Sequence, residues 1–495
     1  MTVHLVGAGP GDPGLLTLRG AELLRSCDAV VHDYLVSAPI LALVPPTAQR
    51  HYVGKRGGAD SCKQEDINAL LVRLGKVHGN VVRLKGGDPF LFGRGGEEAV
   101  ALAEADVPFT VVPGITSGIG APAYAGIPVT HRAASSAVAF VTGHQQHAPG
   151  EPEPLFDWSS VVHVETLVLY MGMHRLEQNC AALMTHGRAP ATPVACIQWG
   201  TRANQRTVTG TLATIAAVAK AAGIGAPAIV VIGDVVNYRE HIRWFDNRPL
   251  SGKRIAVTRA REQASALSAA LAERGATVVE IPLGRVAPPV DAGPLVAALA
   301  DPARFPWLAF TSANAVQAVA EHLSATGRDA RALAGCRIAA VGRATARALQ
   351  EHLRLRADLV PTVEDAPHLA AALVASGAPG PILLPQAENA RPELAAGLRS
   401  AGWAVTTAVA YRIEALPAPT DLDPATLDAV TLASAASAER FITALGDRRK
   451  DLHARIYAIG PRTAEACAAL GLTVAAVART PDPVALADTV ARDLA

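Results

Sequence analysis

Two glycine-rich turns, one aspartate and one pair of cations are the residues whose types and spacing could do chemistry in this chain. Gly7-Ala8-Gly9-Pro10-Gly11-Asp12-Pro13-Gly14 follows the apolar run Val3 to Val6, a strand leading into a turn where backbone can approach a ligand closely. The sixth position of a dinucleotide fingerprint is Asp12 here, and two prolines stiffen the loop. A plain strand-to-helix turn is therefore as good a reading of this loop alone as a nucleotide site. Gly86-Gly87-Asp88 repeats the theme. Asp33, in His32-Asp33-Tyr34-Leu35-Val36, could accept a proton, although taken alone it reads more readily as a turn or helix-cap aspartate. Lys55 and Arg56 could hold an anion or form a solvated pair. His131 and His144 stand in no ligand-spaced cluster, and Cys27, Cys62, Cys180, Cys196, Cys336 and Cys467 form no CxxC pair. Hydrogen-bonding loop histidines, reduced structural thiols and no metal are expected.

The elements that must position these groups alternate along the whole chain. Short β-branched runs interleave with longer alanine- and leucine-rich amphipathic stretches, which predicts α/β architecture with buried, largely parallel strands. In the first unit a strand over Val3 to Val6 leads through the glycine loop to a helix carrying Leu16, Leu23, Leu24 and Cys27 on one face, then to a strand at Ala29-Val30-Val31. With 495 residues, about two to four domains are expected. Asn237 to Pro249 is polar, aromatic and non-periodic, and Arg254-Ile255-Ala256-Val257-Thr258 restarts a strand. The expected domains are residues 1–245 and 246–495, with a weaker break between Gln145 and Ser160. In the second, Phe310-Thr311-Ser312-Ala313-Asn314 is echoed by Leu432-Ala433-Ser434-Ala435-Ala436, and Ala340-Val341-Gly342 by Ala458-Ile459-Gly460. This internal repeat predicts two similar lobes whose strand-to-helix loops could face an anionic ligand.

Half the residues are apolar, 18% are charged, and the formal net charge is +1. That excludes a mainly disordered chain and the global positive field of a nucleic-acid binder. Apolar runs such as Ala228 to Ile232 are strand-length, well short of the roughly 20 residues that span a bilayer. The first residues enter a strand at once, so a cytoplasmic protein is expected.

The motifs Gly54-Lys55-Arg56, Arg83 to Glu98, Val112-Pro113-Gly114-Ile115-Thr116-Ser117, Gly126 to Arg132, Tyr170-Met171-Gly172 and Trp199 to Arg206 come in an order and spacing that resembles the uroporphyrinogen-III C-methyltransferases. The resemblance covers about residues 1–245. It implies a two-lobed, non-Rossmann tetrapyrrole methylase fold, a homodimer, and S-adenosylmethionine as methyl donor, with S-adenosylhomocysteine as product. It carries Pro10, Gly86, Gly87, Asp88, Leu91, Thr116, Ser117, Met171 and Gly200 to the cofactor site, Asp33 to the role of proton acceptor and Lys55 to that of proton donor. Arg56, Arg94 and Arg132 become candidates for the substrate's carboxylates. The chain begins directly at this half, without the oxidase and chelatase domain of the related three-activity enzymes, so precorrin-2 is the expected product.

Residues from about 250 onward are similar to the uroporphyrinogen-III synthases on shorter motifs: Ile255 to Arg259, Phe310 to Asn314, Ala340-Val341-Gly342, Ala410-Tyr411-Arg412 and Ile459 to Ala464. This implies a two-lobed α/β synthase fold that closes linear hydroxymethylbilane to uroporphyrinogen III without a cofactor. Tyr411 would assist departure of the hydroxyl, or be a buried strand-end tyrosine. Ser312, Ser434, Gly460 and Thr463 would bind carboxylates. Gln386 stands where an arginine or a small residue would be expected. Together the halves imply a bifunctional enzyme that makes uroporphyrinogen III and methylates it at C2 and C7. The alternative is a methyltransferase joined to a tetrapyrrole-binding module that lacks synthase activity. A nicotinamide oxidoreductase would explain the first glycine loop but neither Gly86-Gly87-Asp88 nor the duplicated second half.

Overall fold

The computed structural model describes residues 1–54, 62–143, 156–258, 261–420 and 422–495. The chain divides into two compact units, Met1–Lys253 with Ala272–Thr277 and Ala495, and Arg254–Leu271 with Val278–Leu494.

The first unit holds two five-stranded sheets. β1 (Thr2–Gly7), β2 (Ala29–His32), β3 (Gln49–Tyr52), β4 (Asn80–Lys85) and β5 (Phe109–Val112) lie in the order β3-β2-β4-β1-β5, every ladder parallel. Val3, Leu5, Val6, Val30, Val81 and Val82 are fully buried, as both faces of a covered parallel sheet require. The helix Leu18–Arg25 starts where Thr17 Oγ1 accepts the Gly20 N–H, a side-chain cap. Leu23 and Leu24 form its buried face, while Leu16 and Cys27, expected on the same helix, lie just outside its ends yet join the same core.

The second sheet, β6 (Val138–Thr142), β7 (Thr166–Tyr170), β8 (Pro193–Gln198), β9 (Arg206–Thr211) and β10 (Ala228–Ile232), runs β6-β7-β10-β8-β9. Only β6–β7 is parallel in it, and β7–β10, β10–β8 and β8–β9 are antiparallel. The expectation of largely parallel strands holds in the other sheets, where the ladder between Gly284–Ala287 and Ala404–Ala415 is the one antiparallel ladder among the described residues, and fails in this one. Val194 to Ile197 and Val230 to Ile232 are fully buried, and a strand buried on both faces reads as one apolar run whichever way it points.

The segment from Asn237 to Pro249, polar and non-periodic in sequence, is packed. Phe245 is buried, and its ring and that of Trp244 lie 4.7 and 5.1 Å from Tyr124, while Asp246 accepts from Arg239 at 2.5 Å.

The second unit carries β11 (Arg254–Val257), β12 (Thr277–Glu280), β13 (Gly284–Ala287), β14 (Trp307–Phe310), β15 (Arg337–Ala340), β16 (Pro381–Ala387), β17 (Ala404–Ala415), β18 (Ala429–Leu432), β19 (Arg455–Ala458) and β20 (Val474–Val477). They form two sheets, β12-β11-β18-β19-β20 and β13-β17-β16-β14-β15. The internal repeat appears as two matching strand–cap–helix units. Ser312 caps Ala313–Ala325 after β14, and Ser434 caps Ala435–Leu445 after β18. Gly342 and Gly460 occupy the N-cap positions after β15 and β19. Each sheet has its own apolar core, around Phe310 in one and Phe441 in the other.

Candidate functional site

Three backbones converge at the ends of β1, β4 and β5. Gly9 and Gly87 exchange backbone hydrogen bonds at 3.1 and 2.8 Å, and both have left-handed φ, +71° and +70°, which glycine adopts without steric cost. A Cβ on Gly114 would lie 2.3 Å from the Gly87 carbonyl oxygen, and one on Gly7 would lie 2.6 Å from Gly114 Cα. No side chain fits there. The loops leaving this junction border a cavity of about 310 Å³ at the carboxyl ends of the parallel strands, where open α/β sheets place ligands.

Pro10, Gly86, Gly87, Ser117, Met171 and Gly200 line the cavity. A Cβ on Gly200 would meet Ala121 Cβ at 2.3 Å, and one on Gly86 would meet Leu35 Cβ at 2.7 Å, so bare backbone forms part of the wall. Asp88, Leu91 and Thr116 are not among the lining residues. The Asp88 carboxylate accepts the N–H groups of Phe90 and Leu91 at 2.8 and 3.2 Å, and that of Gly114 at 3.0 Å. It holds the glycine junction together from behind. Thr116 Oγ1 lies 2.6 Å from the Tyr170 hydroxyl, which also accepts the Gly118 N–H at 2.7 Å.

Asp12, the departure from the dinucleotide pattern, is likewise a structural clasp. Its carboxylate accepts from Gly14 N–H and from the Tyr124 hydroxyl, each at 2.7 Å, and its own N–H donates to Thr201 Oγ1 at 3.1 Å. Burial, and then the Asp12 carboxylate, push the Tyr124 phenol above its ordinary value, so it stays a donor.

The sequence motifs contained lining residues to which no role was given: Tyr34, Leu35, Tyr170, Trp199 and Arg202. All but Tyr34 and Leu35 belong to the Tyr170 and Trp199 motifs. Met171, Trp199 and Thr201 have positive φ, 56°, 50° and 70°, a strain that clusters at functional loops.

Asp33 follows β2, with Oδ1 accepting the Leu35 N–H at 2.9 Å and Oδ2 3.8 Å from Arg83 Nη1. Arg83 and Lys85 alternate with Leu84 along β4 and so point to one face. Both donate to Glu98 Oε1, at 3.0 and 2.9 Å, and Glu98 is fully buried. Burial above all lowers the Lys85 pKa. Two cations thus face two carboxylates beneath the Asp33 loop. Lys55 and Arg56 lie outside the described residues. Arg94 binds Glu97 through two bonds, 2.8 and 2.7 Å, and Arg132 is exposed; neither lines the cavity. His131 accepts the Ala133 N–H at 3.1 Å and stacks on Tyr238 at 3.9 Å, while His144 is outside the described residues. Among the described residues no group of three His, Cys, Asp or Glu side chains could hold a metal ion.

In the second unit the Tyr411 hydroxyl donates to Ser312 Oγ at 3.1 Å. Tyr411 is buried at a register shift between Gln386 and Ala387, a bulge that re-aims the side chain. Ser312 Oγ also accepts the Ala315 N–H as a helix cap. Ser434 forms a reciprocal capping box with Ser437, and Thr463 is buried in the first turn after Gly460. Among the described residues no hydrogen bond joins Ser434, Gly460 or Thr463 to the Tyr411–Ser312 pair. The two glycine-capped helix starts differ. Glu364 lies against Gly342, its Oε2 accepting the Arg343 N–H at 3.1 Å, whereas a Cβ on Gly460 would find only Pro481, at 3.9 Å.

A model of the Tetrapyrrole (Corrin/Porphyrin) Methylases matches residues 2–216, and one of Uroporphyrinogen-III synthase HemD matches residues 265–488. The chain is 41% identical to a porphyrin biosynthesis protein HemD of Ruminiclostridium josui, over 74% of this chain and 72% of that one. It is 51% identical to a uroporphyrinogen-III C-methyltransferase of Synechocystis, over 49% of this chain and 91% of that one. It is also 50% identical to a sirohaem synthase of Methylococcus capsulatus, over 50% of this chain and 52% of that one, so it spans about half the length of that relative. Among solved structures, a Thermus thermophilus uroporphyrin-III C-methyl transferase complexed with S-adenyl homocysteine is 39% identical, covering 48% of this chain and 99% of that one with a TM-score of 0.41.

Proposed function

The chain belongs to the tetrapyrrole methylases through its first half and to the HemD uroporphyrinogen-III synthases through its second, and we propose that it converts hydroxymethylbilane to uroporphyrinogen III and methylates that product at C2 and C7 to precorrin-2. The single observation that supports the methyl-transfer half best is the cavity walled by Pro10, Gly86, Gly87, Ser117, Met171 and Gly200, placed at the carboxyl end of the parallel sheet and reached by the Asp33 loop through Tyr34 and Leu35.

S-adenosylmethionine, when bound, supplies a methyl group already activated on a sulfonium. The residues fit such a ligand: Met171, Met173, Ala121 and Ile197 give apolar walls, and Gly86 and Gly200 give bare backbone, at positions where a Cβ would collide with Leu35 or Ala121. The enzyme's task is then alignment and proton management. Asp33 accepts the proton released when the macrocycle carbon attacks, its orientation held by the Leu35 N–H and its charge backed by Arg83. Lys55 acts as proton donor, and Arg56, Arg94 and Arg132 serve the substrate's carboxylates. In the second half the Tyr411 hydroxyl, directed at Ser312, assists departure of the substrate hydroxyl, while Ser434, Gly460 and Thr463 hold carboxylates at helix starts. The protein works in the cytoplasm as a homodimer formed through the methyltransferase half.

The test is incubation of the chain with freshly generated hydroxymethylbilane, with and without S-adenosylmethionine, and identification of products by mass and isomer. Uroporphyrinogen III without the donor, and a doubly methylated product with it, are expected. Type I isomer without the donor would leave the second half as a binding module and only the methyl-transfer half standing.

A further inference from the structure

The cavity of the first unit contains a positive charge that its surroundings leave unanswered. Its described lining includes no aspartate or glutamate, and Arg202 is its one lysine or arginine. Arg202 sits in the turn between β8 and β9. Its Nη2 donates to the Leu35 carbonyl, and its guanidinium lies 4.7 Å from the centre of the Trp199 ring. The Nε is buried without a hydrogen-bond partner among the described residues. Burial lowers the guanidinium's pKa, and no neighbouring carboxylate offsets that.

Other buried or half-buried cations of this unit are treated differently. Arg83 and Lys85 share Glu98, Arg239 bonds Asp246, and the Arg188 donors end on the carbonyls of Val162, Val164 and Glu165. A desolvated charge without a counter-ion is unfavourable, and one placed on a cavity wall marks a ligand site. Gly11 belongs to the same arrangement: a Cβ there would stand 2.6 Å from Arg202 Nε, so a glycine leaves the guanidinium its room.

We infer that Arg202 is the carboxylate-recognising residue of this cavity, which rests on the reading of the cavity as the methyl-transfer site. Two participants in that reaction carry a carboxylate, the amino-acid end of the methyl donor and the acid side chains of the macrocycle. A planar guanidinium meets a carboxylate through paired charge-assisted hydrogen bonds. Trp199 sets its plane, and the Leu35 carbonyl ties its outer edge to the loop that carries Asp33.

The experiment uses the full chain and its Arg202→Gln and Arg202→Lys variants. Calorimetry measures affinity for S-adenosylhomocysteine and for the same thioether lacking its carboxylate, and steady-state assays give KM and kcat for uroporphyrinogen III. If Arg202 holds the donor, Arg202→Gln weakens S-adenosylhomocysteine by about tenfold or more and leaves the decarboxylated analogue within about twofold. If it holds the macrocycle, S-adenosylhomocysteine is unaffected and KM rises by about tenfold with kcat retained. Arg202→Lys, which keeps the charge but loses the planar fork, shows a smaller loss of the same kind, and wild-type-like melting of this variant separates recognition from unfolding. Equal weakening of S-adenosylhomocysteine and its decarboxylated analogue, or no change in any ligand, overturns the inference and leaves Arg202 a clamp on the Leu35 loop. A wild-type chain that binds neither ligand removes the methyl-transfer reading, and this inference with it.

Discussion

In the first unit, glycine backbones from three strands pack so closely that a single Cβ on Gly114 would come within 2.3 Å of a carbonyl oxygen, and Pro10, Gly86, Gly87, Ser117, Met171 and Gly200 gather round one cavity. In the second, the hydroxyls of Ser312 and Ser434 accept helix N–H groups as caps, and the candidate residues are spread over helix starts on two sheets. The difference follows the chemistry proposed for each. Methyl transfer needs the attacking carbon, methyl and departing sulfur in line, so placement errors of about 1 Å are costly. Ring closure of a substrate that ionises readily needs the chain held in a folded geometry, a task that many modest contacts can share.

The contrast is sharpest at the reacting groups. Asp33→Asn keeps the loop's shape and removes the proposed proton acceptor, so methyl transfer falls on the order of 10³-fold. S-adenosylhomocysteine affinity and the rate of uroporphyrinogen III formation stay within about twofold. Retained methyl transfer would remove Asp33 from the mechanism. Gly114→Ala inserts a methyl group into the glycine junction and lowers methyl transfer on the order of 10²-fold through misplacement of the cavity wall. Synthase activity is again unaffected, which product analysis of the same preparation checks.

Tyr411→Phe removes one hydroxyl from a site that shares its work and slows uroporphyrinogen III formation only by about tenfold. A loss comparable to that of Asp33→Asn would break the comparison, because the second half would then also depend on one reactive group. The smallest effect is expected from Ser434→Ala, which removes a capping box and costs about 1 kcal/mol in stability by denaturant titration. Its synthase rate changes less than about threefold, since helix N–H groups remain to meet a carboxylate. A larger drop in rate without loss of stability would show that the hydroxyl itself meets substrate.

Much of the first site was legible because its demands are local. The resemblance to the methyltransferases supplied Gly86, Gly87 and Gly200, and the motifs around Tyr170 and Trp199 carried Met171 and Arg202 with them. What each motif residue does was less legible. Asp88 reads as a ligand group but spends its carboxylate on three backbone N–H groups, and a bond to Gly114, 26 positions away, leaves no local trace. Nothing in the motif from Arg83 to Glu98 says that Arg83, Lys85 and Glu98 form a buried cluster under Asp33. The polar, non-periodic run Asn237 to Pro249 gives no sign that Phe245 finds Tyr124 across more than a hundred residues.

By itself the sequence determined the α/β alternation, the repeated strand–cap–helix unit of the second half, and the glycine turns of the first. Each is recorded in residue type over a few positions, through periodicity, capping or left-handed backbone. The tertiary structure alone decided that β8, β9 and β10 run antiparallel, that Asp12 closes on Tyr124, and that Arg202 reaches the cavity without a counter-ion. Those outcomes depend on which distant segments pack together, and a side chain's partner across the fold is not written in its neighbours along the chain.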